Sequence, residues 1–464
     1  MKYFQFTALR QANAWLPDAI IGVDAKGSIT YLAAEKPADV NESAIEKIEG
    51  FALPGFPNGH SHAFQYAMAG LAENHAGNRA DNFWTWREAM YQLALQVSPD
   101  EMESIATMLY AEMLRHGYTH VAEFHYLHHD KDGSYYQNKA EMGERLLRAA
   151  RRACIKITLI PIFYQKGNFG QNPTDRQRRF ICKEIPDFQK LWEESQQAVE
   201  QYSDASIALG VHSLRAVEPS QIAAALSIAK KFPEMPLHLH IAEQLKEVAD
   251  CKAYLGVRPV EWLCNNIELN PYFHLVHATH LTEAETIALA KIGTNVVLCP
   301  STEGNLGDGF FNIDTFQKYG GNWSIGTDSH IGLNPFEELR FSDYRQRLKT
   351  HQRNIYTSKN EADSGAYALQ KAIFTGRKAV GDYASQDYFA IGQTFDAVVI
   401  DGKMPLLQFT AAQNLLSTLI YSGDVSWIAG TIVNGKWIIK NQQHQAQDAI
   451  RADFSAAIKA LRNR

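Results

Sequence analysis

The run Asn58-Gly59-His60-Ser61-His62 sets two imidazoles two residues apart, directly after the apolar stretch 51–57. On an extended backbone such residues face the same side. A strand ending there can present both rings to one metal ion. Later segments supply the other groups that a hydrolytic metal site needs. His240 and Glu243 form a His-x-x-Glu in Leu237-His238-Leu239-His240-Ile241-Ala242-Glu243. That spacing suits an ion ligand followed by a proton shuttle on one loop. His277 closes Leu275-Val276-His277, and Asp328 closes Ile325-Gly326-Thr327-Asp328. Three imidazoles (His60, His62, His240) and the Asp328 carboxylate suit Zn²⁺, with a position left open for water. Ligand type alone also admits iron or manganese. The spacing to Glu243 assigns the ligand position to His240 and leaves His238 either to support the ligands from behind or to pack. No lysine stands at the end of the fourth strand to bridge a second ion, so one divalent ion per subunit is expected.

These groups need elements to position them. Strands are expected at 53–62, 118–125, 155–163, 206–212, 236–241, 273–277, 294–299 and 322–328, with amphipathic stretches between most of them. One helix is especially plain. Ser98-Pro99-Asp100-Glu101 offers an N-cap, a proline at the first helical position and a capping-box glutamate. Met102, Ile105, Leu109 and Met113 follow at helical spacing, and Gly117 ends the run. Strands alternating with helices imply parallel pairing, and eight of them imply a (β/α)₈ TIM-like barrel. An open doubly wound sheet is the competitor, but the Gly-x-Gly-x-x-Gly turn of its dinucleotide-binding form is missing. The phase of the polar residues favours the barrel. His60, His62, His125, Tyr126, His212, His240, His277 and Asp328 all fall at or just past strand carboxyl ends, which in a barrel converge on one mouth. His120, His128, His129, His274 and His280 are read as structural or solvent-facing.

The flanks differ. Segment 19–32 reads as a strand–turn–strand hairpin, and segments 395–400 and 433–439 again carry strand and turn chemistry. Residues 1–50 and 386–464 are therefore expected to combine into a small β-sandwich-like domain beside a barrel spanning 51–385. The chain of 464 residues has a net charge of −6, which gives no global attraction to nucleic acid or acidic membranes. No apolar run approaches a membrane span, and the first residues lack the apolar segment of a secretory signal. Five scattered cysteines, none in a Cys-x-x-Cys pair, fit a reducing cytoplasm.

With this set in hand, the chain resembles the amidohydrolase superfamily in its mononuclear deaminase branch. The likeness includes Gly392-Gln393-Thr394-Phe395-Asp396-Ala397-Val398, similar to that superfamily's return to the small domain. Further segments resemble the formimidoylglutamate deiminases within it. They are Asn58–Gln65 with its His-x-His, Phe83-Trp84-Thr85-Trp86-Arg87-Glu88, Ala122-Glu123-Phe124-His125-Tyr126, His212-Ser213-Leu214-Arg215 and Ser301-Thr302-Glu303-Gly304-Asn305-Leu306-Gly307-Asp308-Gly309. Gly59 stands where a larger residue is expected. The resemblance implies hydrolysis of N-formimino-L-glutamate to N-formyl-L-glutamate and ammonia in histidine degradation. It implies metal ligands His60, His62, His240 and Asp328, with Glu243, His277 and Asp328 catalytic. It also implies substrate contacts from Gln65, Arg87, Tyr126, His212 and Arg215, and a homodimer. A substrate with two carboxylates matches two arginines, because the guanidinium fork pairs with carboxylate bidentately. Arg87 and Arg215 are expected in loops after strands. The alternative is a related deaminase acting on an aromatic base, or an amidase on a cyclic imide, whose pocket would favour aromatic walls over paired arginines. A non-catalytic barrel would tolerate an empty metal site.

Overall fold

The computed structural model describes residues 1–73, 82–383 and 387–463. Eight parallel strands form the barrel: β1 (Phe56–Ser61), β2 (Tyr118–His125), β3 (Lys156–Phe163), β4 (Leu209–Ser213), β5 (Leu237–Ile241), β6 (Phe273–His277), β7 (Asn295–Leu298) and β8 (Asn322–Ile325). Each pairs with the next, and a bridge between Ser61 and Asp328 draws β1 towards the end of β8. That bridge sits between two segments that carry the chemistry.

The anticipated capping box is present. Ser98 accepts a hydrogen bond from the Glu101 amide at 3.3 Å and returns its own amide to Glu101 Oε2 at 2.8 Å. The helix Pro99–Arg115 packs Met102, Ile105, Leu109 and Met113 into the core, and the chain turns into β2 at Gly117, whose φ of 96° suits glycine.

The strand expected at 53–62 is two strands. Ile45–Pro54 pairs with Ala397–Asp401 in a second sheet, and β1 begins only at Phe56. Gly55 joins them, and a Cβ there would lie 2.3 Å from the Thr119 hydroxyl. The chain passes from one sheet to the other where no side chain fits. Strand 206–212 is likewise divided into Ala205–Ile207 and β4, and β8 stops at Ile325, three residues short of Asp328.

The chain ends make the second sheet. In spatial order it contains Gln443–His444, Lys436–Lys440, Ile428–Val433, Ala397–Asp401, Ile45–Pro54, Lys2–Arg10, Ile20–Val23 and Ile29–Ala33, with Trp15–Pro17 paired beside Lys2–Arg10. Its strands form one continuous hydrogen-bonded sheet, and the hairpin at Gly27 meets the hairpin at Asn434 and Gly435. Its hairpins follow their turns: Asn434 and Gly435 have φ of 49° and 66°, as a tight primed turn requires. The expected boundary at 385/386 lies outside the described residues. No helix among the described residues is long and apolar enough to cross a membrane.

Inside the barrel, small residues let strands approach. A Cβ on Gly59 would sit 3.1 Å from Val297 and Ser324, which accounts for glycine between Asn58 and His60. Gly326 is tighter, since its Cβ would meet His60 Cβ at 2.7 Å and His60 N at 2.8 Å. Gly326→Ala is therefore expected to cost about 1–3 kcal/mol by overpacking and to displace His60. Urea unfolding of metal-free protein checks the cost, and an unchanged midpoint would refute this reading of the contact.

Candidate metal centre and pocket

Four strand ends bring His60, His62, His240, His277 and Asp328 together, all buried. The His60 and His62 Nε2 atoms are 3.1 Å apart, and His240 Nε2 lies 3.1 Å from that of His60. Asp328 Oδ1 is 3.3 Å from His62 Nε2 and 3.6 Å from His60 Nε2. Four donors around an ion at about 2.0–2.1 Å would be separated by roughly 3.3 Å. The side chains fit a divalent metal ion.

Their outer nitrogens explain the inward lone pairs. His62 Nδ1–H donates to the Phe124 carbonyl at 2.9 Å, and His240 Nδ1–H donates to the His212 carbonyl at 2.9 Å. Each bond fixes the tautomer that leaves Nε2 unprotonated towards the centre. The Phe124 ring lies against all three imidazoles, with centroids 4.4–5.2 Å away. Burial keeps these rings neutral: it lowers His60 to about 3, with His62 adding to the effect, and depresses His62 and His240 as well. Burial opposes the charge on Asp328, but His60, His62 and His277 outweigh it and hold the carboxyl below its ordinary range.

On the pocket side, His277 Nε2 stands 3.7 Å from Glu243 Oε1 and 3.6 Å from Asp328 Oδ2. Burial raises Glu243 to about 7, even with His277 and Arg215 nearby to favour its charge. A carboxyl so placed can take and give a proton near neutral pH. Burial opposes charge on His277 too, but Glu243, Glu303 and Asp328 raise it to about 10.

The pocket opens above this cluster. Its walls include Phe83, Trp86, Tyr91, Tyr126, Tyr164 and Phe180, together with Gln65, His212, Arg87 and Arg215. Arg215 lies in the one-turn helix Leu214–Ala216 after β4, as a strand-end loop would place it. Arg87 does not follow a strand directly. It sits on the helix Phe83–Ala94, with its guanidinium carbon 4.4 Å from the Trp84 ring centre and 5.4 Å from that of Tyr91. Arg87 Nε and Nη1 and Arg215 Nη1 are buried without a hydrogen-bond partner among the described residues. Such donors are costly unless a ligand meets them. Gln65 Nε2 donates to the Tyr126 hydroxyl at 2.8 Å, while Gln65 Oε1 has no partner among the described residues. His212 Nδ1 lies 3.0 Å from the Ser213 hydroxyl, and its ring packs on Tyr164.

The amidohydrolase family profile matches residues 51–438. The chain belongs to the amidohydrolase family. It is 41% identical over 450 residues to formimidoylglutamate deiminase of Pseudomonas aeruginosa, covering 97% of each chain. Among solved structures, an amidohydrolase from Brucella melitensis superposes with a TM-score of 0.92 at 36% identity, over 99% of this chain and 100% of that one. An adenosine deaminase from Xanthomonas campestris with bound zinc shares the fold, with a TM-score of 0.81 at 21% identity over 100% and 98% of the two chains.

Besides Arg87, two residues stand apart from the expectations of the sequence. His125, placed at the mouth by its strand-end position, instead packs outward beside Gly143 of the helix Glu141–Ala153 and against the His128 ring at 4.8 Å. Tyr126 is the residue of that pair that lines the pocket. Glu303 carries no role in the sequence pattern, yet its Oε1 lies 3.4 Å from His277 Nδ1. Its place in the segment 301–309 is the one available signal. His238, fully buried on the same face of β5 as His240, does not join the cluster; it donates to the Ala379 carbonyl at 2.9 Å and stacks on the His274 ring at 4.9 Å. Glu123 accepts from the Ser61 hydroxyl at 2.6 Å and from the Ala63 amide at 2.7 Å, fastening the His-x-His turn.

Chelation followed by return of Zn²⁺ should raise the Tm, because an ion bound to the folded form stabilises it by RT ln(1 + [L]/Kd), about 4 kcal/mol at a thousandfold excess over Kd. His62→Ala should abolish most of that rise. An equal rise in the variant, with equal zinc by elemental analysis, would remove His62 from the donor set.

Proposed function

We propose that this chain is a cytoplasmic hydrolase that converts N-formimino-L-glutamate to N-formyl-L-glutamate and ammonia. The observation that carries the reading is a pair of arginines, Arg87 half-buried and Arg215 buried, whose buried N–H groups lack partners among the described residues, in the same pocket as the histidine–carboxylate cluster. Aromatic walls alone would serve an aromatic base equally well. Two guanidiniums fit a dianion, and N-formimino-L-glutamate has two carboxylates. The 41% identity to a protein named formimidoylglutamate deiminase supports the same choice.

His60, His62, His240 and Asp328 would hold one divalent ion per subunit, and their N and O donors favour Zn²⁺. When bound, that ion lowers the pKa of water to about 7 and makes a nucleophile available at neutral pH. The protein groups do the rest. Arg87 and Arg215 grip the two carboxylates and turn the formimino end towards Glu243 and Asp328. Gln65, Tyr126 and His212 shape the space between. Asp328 accepts a proton from the attacking water and aims it at the formimino carbon. Glu243 carries a proton to the imino nitrogen, so that ammonia rather than amide leaves the tetrahedral intermediate. His277 hydrogen-bonds the charge developing at that centre.

The helix Pro335–Thr350 leaves Phe341, Tyr344 and Leu348 exposed, an apolar face that a homodimer contact would cover. Light scattering on the purified protein checks the assembly.

Ammonia release from N-formimino-L-glutamate, lost on chelation and restored by zinc, is the direct test; guanine under the same conditions should release none. Glu243→Gln should lower kcat by about 10²–10⁴-fold, with zinc content and KM little changed. Arg215→Met should raise KM by roughly 10–100-fold, the scale of a lost charged hydrogen bond. Near-normal turnover in the first variant, or unchanged KM in the second, would strike that residue from the mechanism.

A further inference from the structure

We propose that Glu303 is a positioning residue that fixes the orientation of the His277 ring, and that Arg345 holds Glu303 in place for it. Glu303 lies on the short helix Pro300–Asn305 after β7 and is only 2% exposed. Its Oε1 faces His277 Nδ1 at 3.4 Å and accepts the Cys299 amide at 2.9 Å. Its Oε2 accepts from Arg345 Nη1 at 2.8 Å. Arg345, also buried, is itself tied to the Pro300 carbonyl at 3.2 Å and to the Gly309 carbonyl, so it spans both ends of the segment carrying Glu303. The Cys299 amide on Oε1 and Arg345 on Oε2 anchor the two carboxylate oxygens and leave Oε1 beside the His277 ring.

His277 needs such a hold. Its φ is 68°, in the left-handed region, and Ala278 follows at 51°, so the backbone alone is strained rather than rigidly regular there. Glu303 is the partner of its Nδ1 among the described residues. With the Nδ1–H committed to Glu303, Nε2 is turned to the reacting side, 3.7 Å from Glu243 and 3.6 Å from Asp328. A ring free to flip would present either nitrogen.

The inference rests on the proposed role of His277, and two readouts separate its failure from the failure of that role. In full-length, zinc-loaded enzyme, Glu303→Ala should lower kcat by about 10²-fold, the lower end of general acid–base effects, while KM and zinc content stay near wild type. Glu303→Gln keeps a carbonyl oxygen for the Nδ1–H and should recover kcat to within about tenfold of wild type on that same scale. Arg345→Met, which frees Glu303 without removing it, should fall between. Independently of turnover, proton NMR should show a downfield resonance for the bonded Nδ1–H, assigned by its absence in His277→Asn. It should vanish in Glu303→Ala. Persistence of that resonance in Glu303→Ala, or a loss of kcat accompanied by zinc loss and not recovered by Gln, would overturn the proposal. A wild-type enzyme inactive on N-formimino-L-glutamate would sink the functional reading, and the NMR resonance alone would then decide whether Glu303 orients His277.

Discussion

Three imidazole nitrogens and a carboxylate oxygen meet within 3.1–3.6 Å in a buried cage, and the rest of the barrel is arranged around that crowding. Neutral lone pairs facing one another at such distances repel without a cation between them. The backbone restrains them: β1 and the residue just past it supply two rings, while Phe124 O and His212 O lock two Nδ1–H groups from behind. Asp328 reaches the cage only because the chain leaves the regular strand at Ile325 and turns through a φ of 47° at Asp328 itself. That conformation costs a non-glycine residue roughly 1–2 kcal/mol. The bridge from Ser61 to Asp328 helps to hold it.

Charge is laid out unevenly across the pocket. Glu243 and Asp328 lie at the floor near His277, and Arg87 and Arg215 stand in the walls. A dianion carrying a basic formimino group has one favourable orientation in that field, with its carboxylates towards the guanidiniums and its nitrogen end towards the acids. Burial sharpens the selection, since an unmatched charge in such a site is poorly solvated. The same burial brings Glu243 to about 7, where proton exchange near neutral pH is easiest. In the proposed mechanism, orientation and proton transfer therefore share one physical origin.

Much of this is legible in the sequence because metal sites on barrels are written in strand phase. His60, His62, His240, His277 and Asp328 align from strand ends alone, and the barrel follows from eight alternating segments. What escapes depends on direction rather than position. His125 and Tyr126 are neighbours at the end of β2, but the two-residue pleat sends His125 outward and Tyr126 into the pocket. A one-residue uncertainty in phase reverses such an assignment. Arg87 is expected in a loop and lies on a helix, because the segment between β1 and Phe83 makes no strand-like signal to count from. Left-handed backbone at Ala242, His277 and Asp328 leaves no trace in composition, since tertiary contacts impose it.

The two halves of the site are held by different means. The cage is fixed by strand hydrogen bonds, which every barrel of this kind must make. The helix bearing Arg87 is fixed by side chains. Arg179, fully buried, donates to the carbonyls of Ala94, Val97 (2.7 Å) and His129 (2.8 Å), pinning the helix end to the loop after β2. Gln177 bridges the hydroxyls of Tyr91 and Tyr164 beside Arg87 at 3.2 and 2.8 Å. Changing a few of these contacts would move a guanidinium without disturbing the cage. Fold alone does not name a substrate, and the proposed site gives a physical reason: Arg87, one of the groups proposed to choose it, is attached to the barrel by bonds the barrel does not need.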